Sequence, residues 1–90
     1  MKGFVKDPNA ILDYSFDWGP WLDSDTIDTS VWIVESPLVI ESGTESNTDT
    51  ITTLFISGGE AGETYTITNR ITTDGGRLDD RSFEIRVRNR

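Results

Sequence analysis

The residues best equipped for chemistry in this chain are its acids. Asp23, Asp25 and Asp28 cluster in one short stretch, and grouped carboxylates are the raw material of a calcium loop. The spacing fails that pattern. Counted from Asp23, position five is Ile27, position six is Asp28 where the turn needs glycine, and position twelve is Val34 where a bidentate glutamate belongs. A hydrated acidic turn is the better reading. Asp13 with Asp17, or Asp79 with Asp80, are the carboxylate pairs that a glycosidase would need as acid and base or nucleophile. Asp13 and Asp17 fall on the polar face of an alternating stretch, where carboxylates are simply hydrated. A chain of 90 residues also has little room for a cleft deep enough to raise one pKa. Gly58-Gly59 is followed neither by Gly-Lys-Ser/Thr nor by a helical pattern, so it is no phosphate loop. The chain has no cysteine and no histidine. That excludes disulfides, the usual zinc sites and catalysis through either side chain. No catalytic residue, metal ligand or cofactor is expected.

Adhesion is the chemistry that remains. Trp18 and Trp21 flank Gly19-Pro20, and paired tryptophans beside a turn can stack on sugar rings or anchor a protein partner. The competing reading has Trp18 completing an aromatic core stripe and Trp21 capping the end of the fold. Trp32, amid apolar neighbours, reads as core. Phe4 and Val5 are apolar residues in an otherwise patternless stretch, 1–9, which reads as a disordered terminus by default and, functionally, as an arm that orders on a neighbouring subunit. On that reading, removing residues 1–8 leaves the domain folded and weakens assembly. Arg86, Arg88 and Arg90 recur at every second position, so they line one face and can pair with acids on another chain or within the sheet. The partner-binding candidates are therefore Phe4, Val5, Trp18, Trp21, Arg86, Arg88 and Arg90.

Period-two alternation dominates the elements that would hold these residues. In 10–18, Leu12, Tyr14, Phe16 and Trp18 share one face, and Asp13, Ser15 and Asp17 the other. Further strands are expected over 26–34, with Trp32 and Val34 inward and a bulge near Thr29-Ser30, then over 38–41, 50–57, 64–72 and 82–88. In 64–72 the inward set is Tyr65, Ile67, Asn69 and Ile71; in 82–88 it is Phe83, Ile85 and Val87. The tract 42–49 has no apolar residue and reads as a loop. Asp74-Gly75-Gly76 is a turn suited to adjacent antiparallel strands. Twelve threonines and eight serines favour extended structure over helix. The expected fold is an all-β, immunoglobulin- or fibronectin-III-like sandwich of about seven antiparallel strands, residues 10–90 forming one domain behind the 1–9 arm. A small open barrel is the rival. Tyr65, just after the glycine-rich corner at 58–62, stands where such sandwiches keep a tyrosine whose hydroxyl bonds the backbone upstream.

Lys and Arg number 8 against 16 Asp and Glu, a net charge of −8. That charge disfavours general binding to nucleic acid. The first sixty residues hold two lysines and eleven acids, and all six arginines come at or after Arg70. No signal peptide and no apolar run long enough to span a bilayer is visible, so synthesis in a cytoplasm and no membrane partner are expected.

Two stretches resemble a family of small tailed-phage virion proteins, the fiber–tail adaptors: Asp7-Pro8-Asn9-Ala10-Ile11-Leu12-Asp13-Tyr14-Ser15-Phe16-Asp17-Trp18, and 57–73 (SGGEAGETYTITNRITT) continuing through 76–82 (GRLDDRS). The likeness covers most of the chain and is weakest over 35–49. It implies a non-enzymatic virion component and carries over no catalytic residue. The expected function is an adaptor module that docks on a larger tail, neck or fiber protein, in several copies within a symmetric particle. The alternatives are a capsid decoration protein and a carbohydrate-binding module using Trp18 and Trp21.

Overall fold

The computed structural model describes residues 2–89; Met1, Arg90 and the side chain of Lys2 lie outside the description. Eight strands and one helical turn follow in the order β1 (Lys2–Lys6), β2 (Leu12–Asp17), α1 (Gly19–Leu22), β3 (Ile27–Val34), β4 (Leu38–Ile40), β5 (Ser46–Asn47), β6 (Ile51–Gly58), β7 (Thr64–Thr73) and β8 (Leu78–Val87). They form two packed sheets. One runs β1-β8-β7-β3; the other runs β2-β6-β4, with β5 also on β6. The fold is thus an all-β sandwich and not a barrel. All pairings are antiparallel except β1 with β8, which is parallel.

Alternation decides which side chains meet between the sheets. Tyr14, Trp32, Leu38, Leu54, Ile56, Tyr65, Ile67, Phe83, Ile85 and Val87 form the main core, and Trp18, Leu22, Ile27 and Ile71 a second cluster at one end. Phe16 joins the two, stacked on Trp32 at 5.8 Å and edge-on to Phe83 at 5.4 Å. Eight of the nine aromatics pack in or against these clusters and give a small domain the bulk that its modest apolar content lacks. A register shift between Ile27 and Thr29 places the β3 bulge one residue earlier than the sequence suggests.

At the opposite end the Tyr65 hydroxyl accepts the Glu60 N–H at 3.0 Å, which is the tyrosine corner expected there. Gly59 makes this corner possible. Its φ is +95°, and a Cβ would come within 2.7 Å of Val87 Cγ2 and 3.0 Å of Leu38 Cδ2.

The N-terminal stretch departs from expectation. Residues 2–6 are no detached arm; they form an edge strand of the first sheet. The ring of Phe4 packs edge-on against Tyr14 at 5.2 Å and Phe83 at 5.3 Å. Lys6 is fully buried, and its Nζ donates to the Gly58 carbonyl at 2.8 Å and the Asp7 carbonyl at 2.9 Å. The first of these bonds ties β1 to β6 of the other sheet. Burial holds the Lys6 ammonium below its ordinary pKa, with Asp7 partly opposing. Five residues are too few to show periodicity, and a lysine at an inward position hides the strand from a hydrophobic pattern. Two smaller departures have similar causes: 42–49 contains the two-residue β5, and β8 starts at Leu78, where polar Asp79, Asp80 and Arg81 mask the alternation.

Candidate docking surface

The tryptophan corner turns out to be internal scaffolding. Trp18 is completely buried, and its indole N–H donates to Asn69 Oδ1 at 3.0 Å. The same oxygen accepts from Thr52 Oγ1 at 2.7 Å, and Asn69 Nδ2 donates to Ser30 Oγ and the Val31 carbonyl. Asn69 therefore joins β3, β6, β7 and the start of α1 through one buried amide. Arg81 lies over the Trp18 ring at 4.2 Å and donates to the Asp17 carbonyl. Trp21 packs edge-on against Trp18, and the Arg77 guanidinium covers its ring at 4.3 Å. Trp18 is accordingly no partner or sugar contact, and Trp21 is half-buried beneath Arg77. Pro20 sits at the start of α1, where a missing N–H costs nothing, so Gly19-Pro20 makes a helical turn that folds Trp21 back onto Trp18.

Asp25, one of the three clustered acids, serves the same corner. It accepts from the N–H groups of Thr26 at 2.9 Å and Gly75 at 3.0 Å and from Arg77 Nε at 3.2 Å. A hydrogen bond from Thr73, followed by the Thr26, Gly75 and Arg77 bonds, lowers its pKa to about 2 against some desolvation. Its carboxylate is thus the joint between the α1–β3 loop and the β7–β8 turn. Of the other paired acids, Asp80 forms a two-pronged bridge with Arg70 at 2.8 and 3.0 Å. That bridge lowers the Asp80 pKa and raises that of Arg70.

Three of the five described arginines, Arg70, Arg77 and Arg81, thus act within the molecule. Arg86 and Arg88 do not: both are exposed, and neither forms an ion pair with another described residue. Arg90 lies outside the described residues. Arg86 stands directly beside Val5 across the β1–β8 pair, and Val5 is 39% exposed, whereas Phe4 points into the core. The sequence candidates therefore divide. Phe4 and Trp18 are core, Trp21 is a cap, and Val5, Arg86 and Arg88 share the outer face at the β1 edge.

A family model described as podophage GP4 fiber-tail adaptor protein gp77 matches residues 6–86. The chain belongs to this family. No curated protein matches it. This fiber-tail adaptor is accordingly a phage structural protein with its place in the virion. The match takes in the Asn69–Trp18 network, the Asp25 joint and the Tyr65 corner, so the conspicuous polar residues of the adaptor are those that hold its sandwich together.

A second surface escaped the sequence reading. Val31 and Ile33 of β3 are 52% and 45% exposed on the outer face of the first sheet. The signal was present in the run Val31-Trp32-Ile33-Val34. A strand with one face in water should alternate apolar and polar residues, and this one is apolar on both faces.

Proposed function

We propose that this adaptor works by adhesion, joining a tail component to a fiber component of the particle without catalysing a reaction. Membership of the fiber-tail adaptor family over residues 6–86 is the observation that carries the reading. The chemistry of the surface supports it. Of the acids that could form catalytic pairs, Asp17 accepts the Gly19 N–H and Asp80 bridges Arg70, and the exposed apolar positions include an apolar-basic edge at Val5, Arg86 and Arg88 and an apolar edge at Val31 and Ile33. Its partners on this reading are other virion proteins, with several copies in a symmetric assembly and with neither nucleic acid nor membrane bound. A net charge of −8 keeps free copies soluble in the host cytoplasm before assembly.

Purified adaptor challenged with purified tail, neck, fiber and capsid proteins from the same phage tests the reading. It should bind a tail or fiber component. Capsid protein alone as the binding partner would convert the adaptor into a decoration protein. Mature particles that lack the polypeptide would end the proposal altogether. The carbohydrate alternative has lost its platform with the burial of Trp18.

A further inference from the structure

The sandwich has four strand edges, and the two of the second sheet are blunted. A β-sheet edge exposes unpaired N–H and C=O groups, and proteins protect it with charge, brevity or bulges. The β2 edge carries Asp13 and Asp17, and β4 and β5 are three and two residues long. The β1 edge is five residues long, and the side chain of its Lys6 is buried. The β3 edge is eight residues long, with neither charge nor proline from Thr29 to Val34.

Which backbone groups face outward follows from ladder alternation. Thr73 N–H donates to the Arg77 carbonyl and Val87 N–H to the Glu63 carbonyl, so odd-numbered residues of β7 bond β8. Even-numbered residues of β7 then bond β3, at Thr29, Val31 and Ile33. The N–H and C=O groups of Ser30, Trp32 and Val34 point away from the sheet, and none bonds another element among the described residues. At the far side, Arg88 N–H donates to the Lys6 carbonyl, so Phe4 and Lys6 bond β8, and Gly3 and Val5 present their backbone outward.

We infer that the β3 edge of one copy pairs in parallel with the β1 edge of a second copy, extending the first sheet head-to-tail from molecule to molecule. The inference rests on the virion-adaptor reading and supplies the contact between its copies. Two independent features agree with it. First, direction: β1 is parallel to β8, and β8 and β3 are both antiparallel to β7, so β3 and β1 run the same way and a rotation about an axis along the strands brings them together. Second, facing: in a parallel ladder Trp32 opposite Phe4 of the next copy would bond that copy's Gly3 carbonyl and Val5 N–H. Core-facing side chains would then stay on the core side, and Ile33 would meet Val5 on the outer face. The two-fold alternative, β3 against β3, also matches faces, but it brings Asp28 and Glu35 of both copies to one seam, whereas the head-to-tail seam sets a single Glu35 opposite a single Asp7.

Two variants with one dead edge each test the polarity. Ile33→Lys places a charge on the outer face of β3, and the double variant Arg86→Glu, Arg88→Glu inverts the β1–β8 side; both sites are exposed, and circular dichroism and urea midpoints verify that each still folds. Wild-type full-length chain should form species larger than dimers in sedimentation velocity and native mass spectrometry. Each variant alone should be monomeric. Mixed in equal amounts, they should form a dimer that stops there, because one open β3 edge meets one open β1 edge. A wild type that stays monomeric at its highest soluble concentration overturns the inference, as does self-dimerisation of the arginine variant, the mark of a two-fold β3 seam. Either result leaves the adaptor reading standing if the chain still binds tail or fiber protein; loss of that binding with intact head-to-tail assembly sinks the adaptor reading and spares this one.

Discussion

Asn69 shows how much of this fold one polar side chain holds. Its amide receives Trp18 and Thr52 and donates to Ser30 and Val31, all in the apolar end of the sandwich. Buried donors that lose their acceptor cost about 1–3 kcal/mol each. Asn69→Leu strands the Trp18 indole N–H and the Thr52 hydroxyl together, so it should lower stability by about 3 kcal/mol or more, read as a fall in the urea midpoint at unchanged slope. Asp25 gives a pH signature of different kind. Its pKa is about 2 in the fold and 3.8 when free, so its bonds favour the native state above about pH 4 and that contribution disappears as pH falls toward 2. Asp25→Asn should be less stable than wild type at neutral pH, and the gap between their urea midpoints should close between pH 4 and pH 2. A gap that stays constant down to pH 2 would show that the carboxylate charge is not what the Thr73, Thr26, Gly75 and Arg77 bonds require. Both residues stood in plain view in the sequence, Asn69 on an inward face and Asp25 in an acidic cluster. Alternation located Asn69 but not its partners, because those come from β3, β6 and the start of α1, which are distant in the chain. Asp25 read as part of a hydrated acidic turn because the sequence cannot show Gly75 and Arg77 folding onto it.

At the scale of elements, strands with a clean period of two were legible and strands with an interrupted one were not. The inward set Tyr65, Ile67, Asn69 and Ile71 is buried as the pattern requires, and the aromatic stripe of β2 faces the core apart from its more exposed first member, Leu12. The tyrosine corner was readable because a local motif of eight residues contains both partners. β1 was opaque for the opposite reason. Its stability comes from β8, more than seventy residues away, and from a lysine bonded to Gly58 in the other sheet. This reverses the expectation for truncation. Loss of residues 1–8 removes Phe4 from between Tyr14 and Phe83 and uncovers the β8 edge, so the shortened domain should unfold at lower urea and not merely assemble less well. Phe4→Ala isolates the packing part: a half-buried ring should cost about 2 kcal/mol, less than the roughly 3–5 kcal/mol of a fully buried phenylalanine. Val5→Ala, on the outer face of the same strand, should leave the midpoint nearly unchanged. Equal effects from the two would mean that β1 does not sit on β8 in the register given.

For the whole molecule the governing quantity is the uneven charge. Two copies that approach one another each carry −8, and this long-range repulsion opposes assembly at low ionic strength. Exposed Arg86 and Arg88 beside the proposed seam offset part of that repulsion, as the positive groups closest to where the acidic neighbour docks. Both terms are screened by salt, since the Debye length falls from about 10 Å at 0.1 M to about 3 Å at 1 M, so the response of wild type alone cannot separate them. Arg86→Gln with Arg88→Gln does. The neutral variant keeps the edge hydrogen bonds and the Ile33–Val5 contact but loses the local attraction and gains two further negative charges of net repulsion. At 0.1 M salt it should assemble more weakly than wild type, by about tenfold if each lost arginine contact is worth a typical exposed pair of under 1 kcal/mol. Raising salt should strengthen the variant's assembly steadily, because only repulsion is left to screen. Wild type should respond less, as its attraction and repulsion fade together, and the two should converge near 1 M. Sedimentation equilibrium across that salt series gives both curves. Should the difference persist undiminished at 1 M, the arginines act through the packing of their aliphatic stems against Val5, and charge has no part in holding one copy to the next.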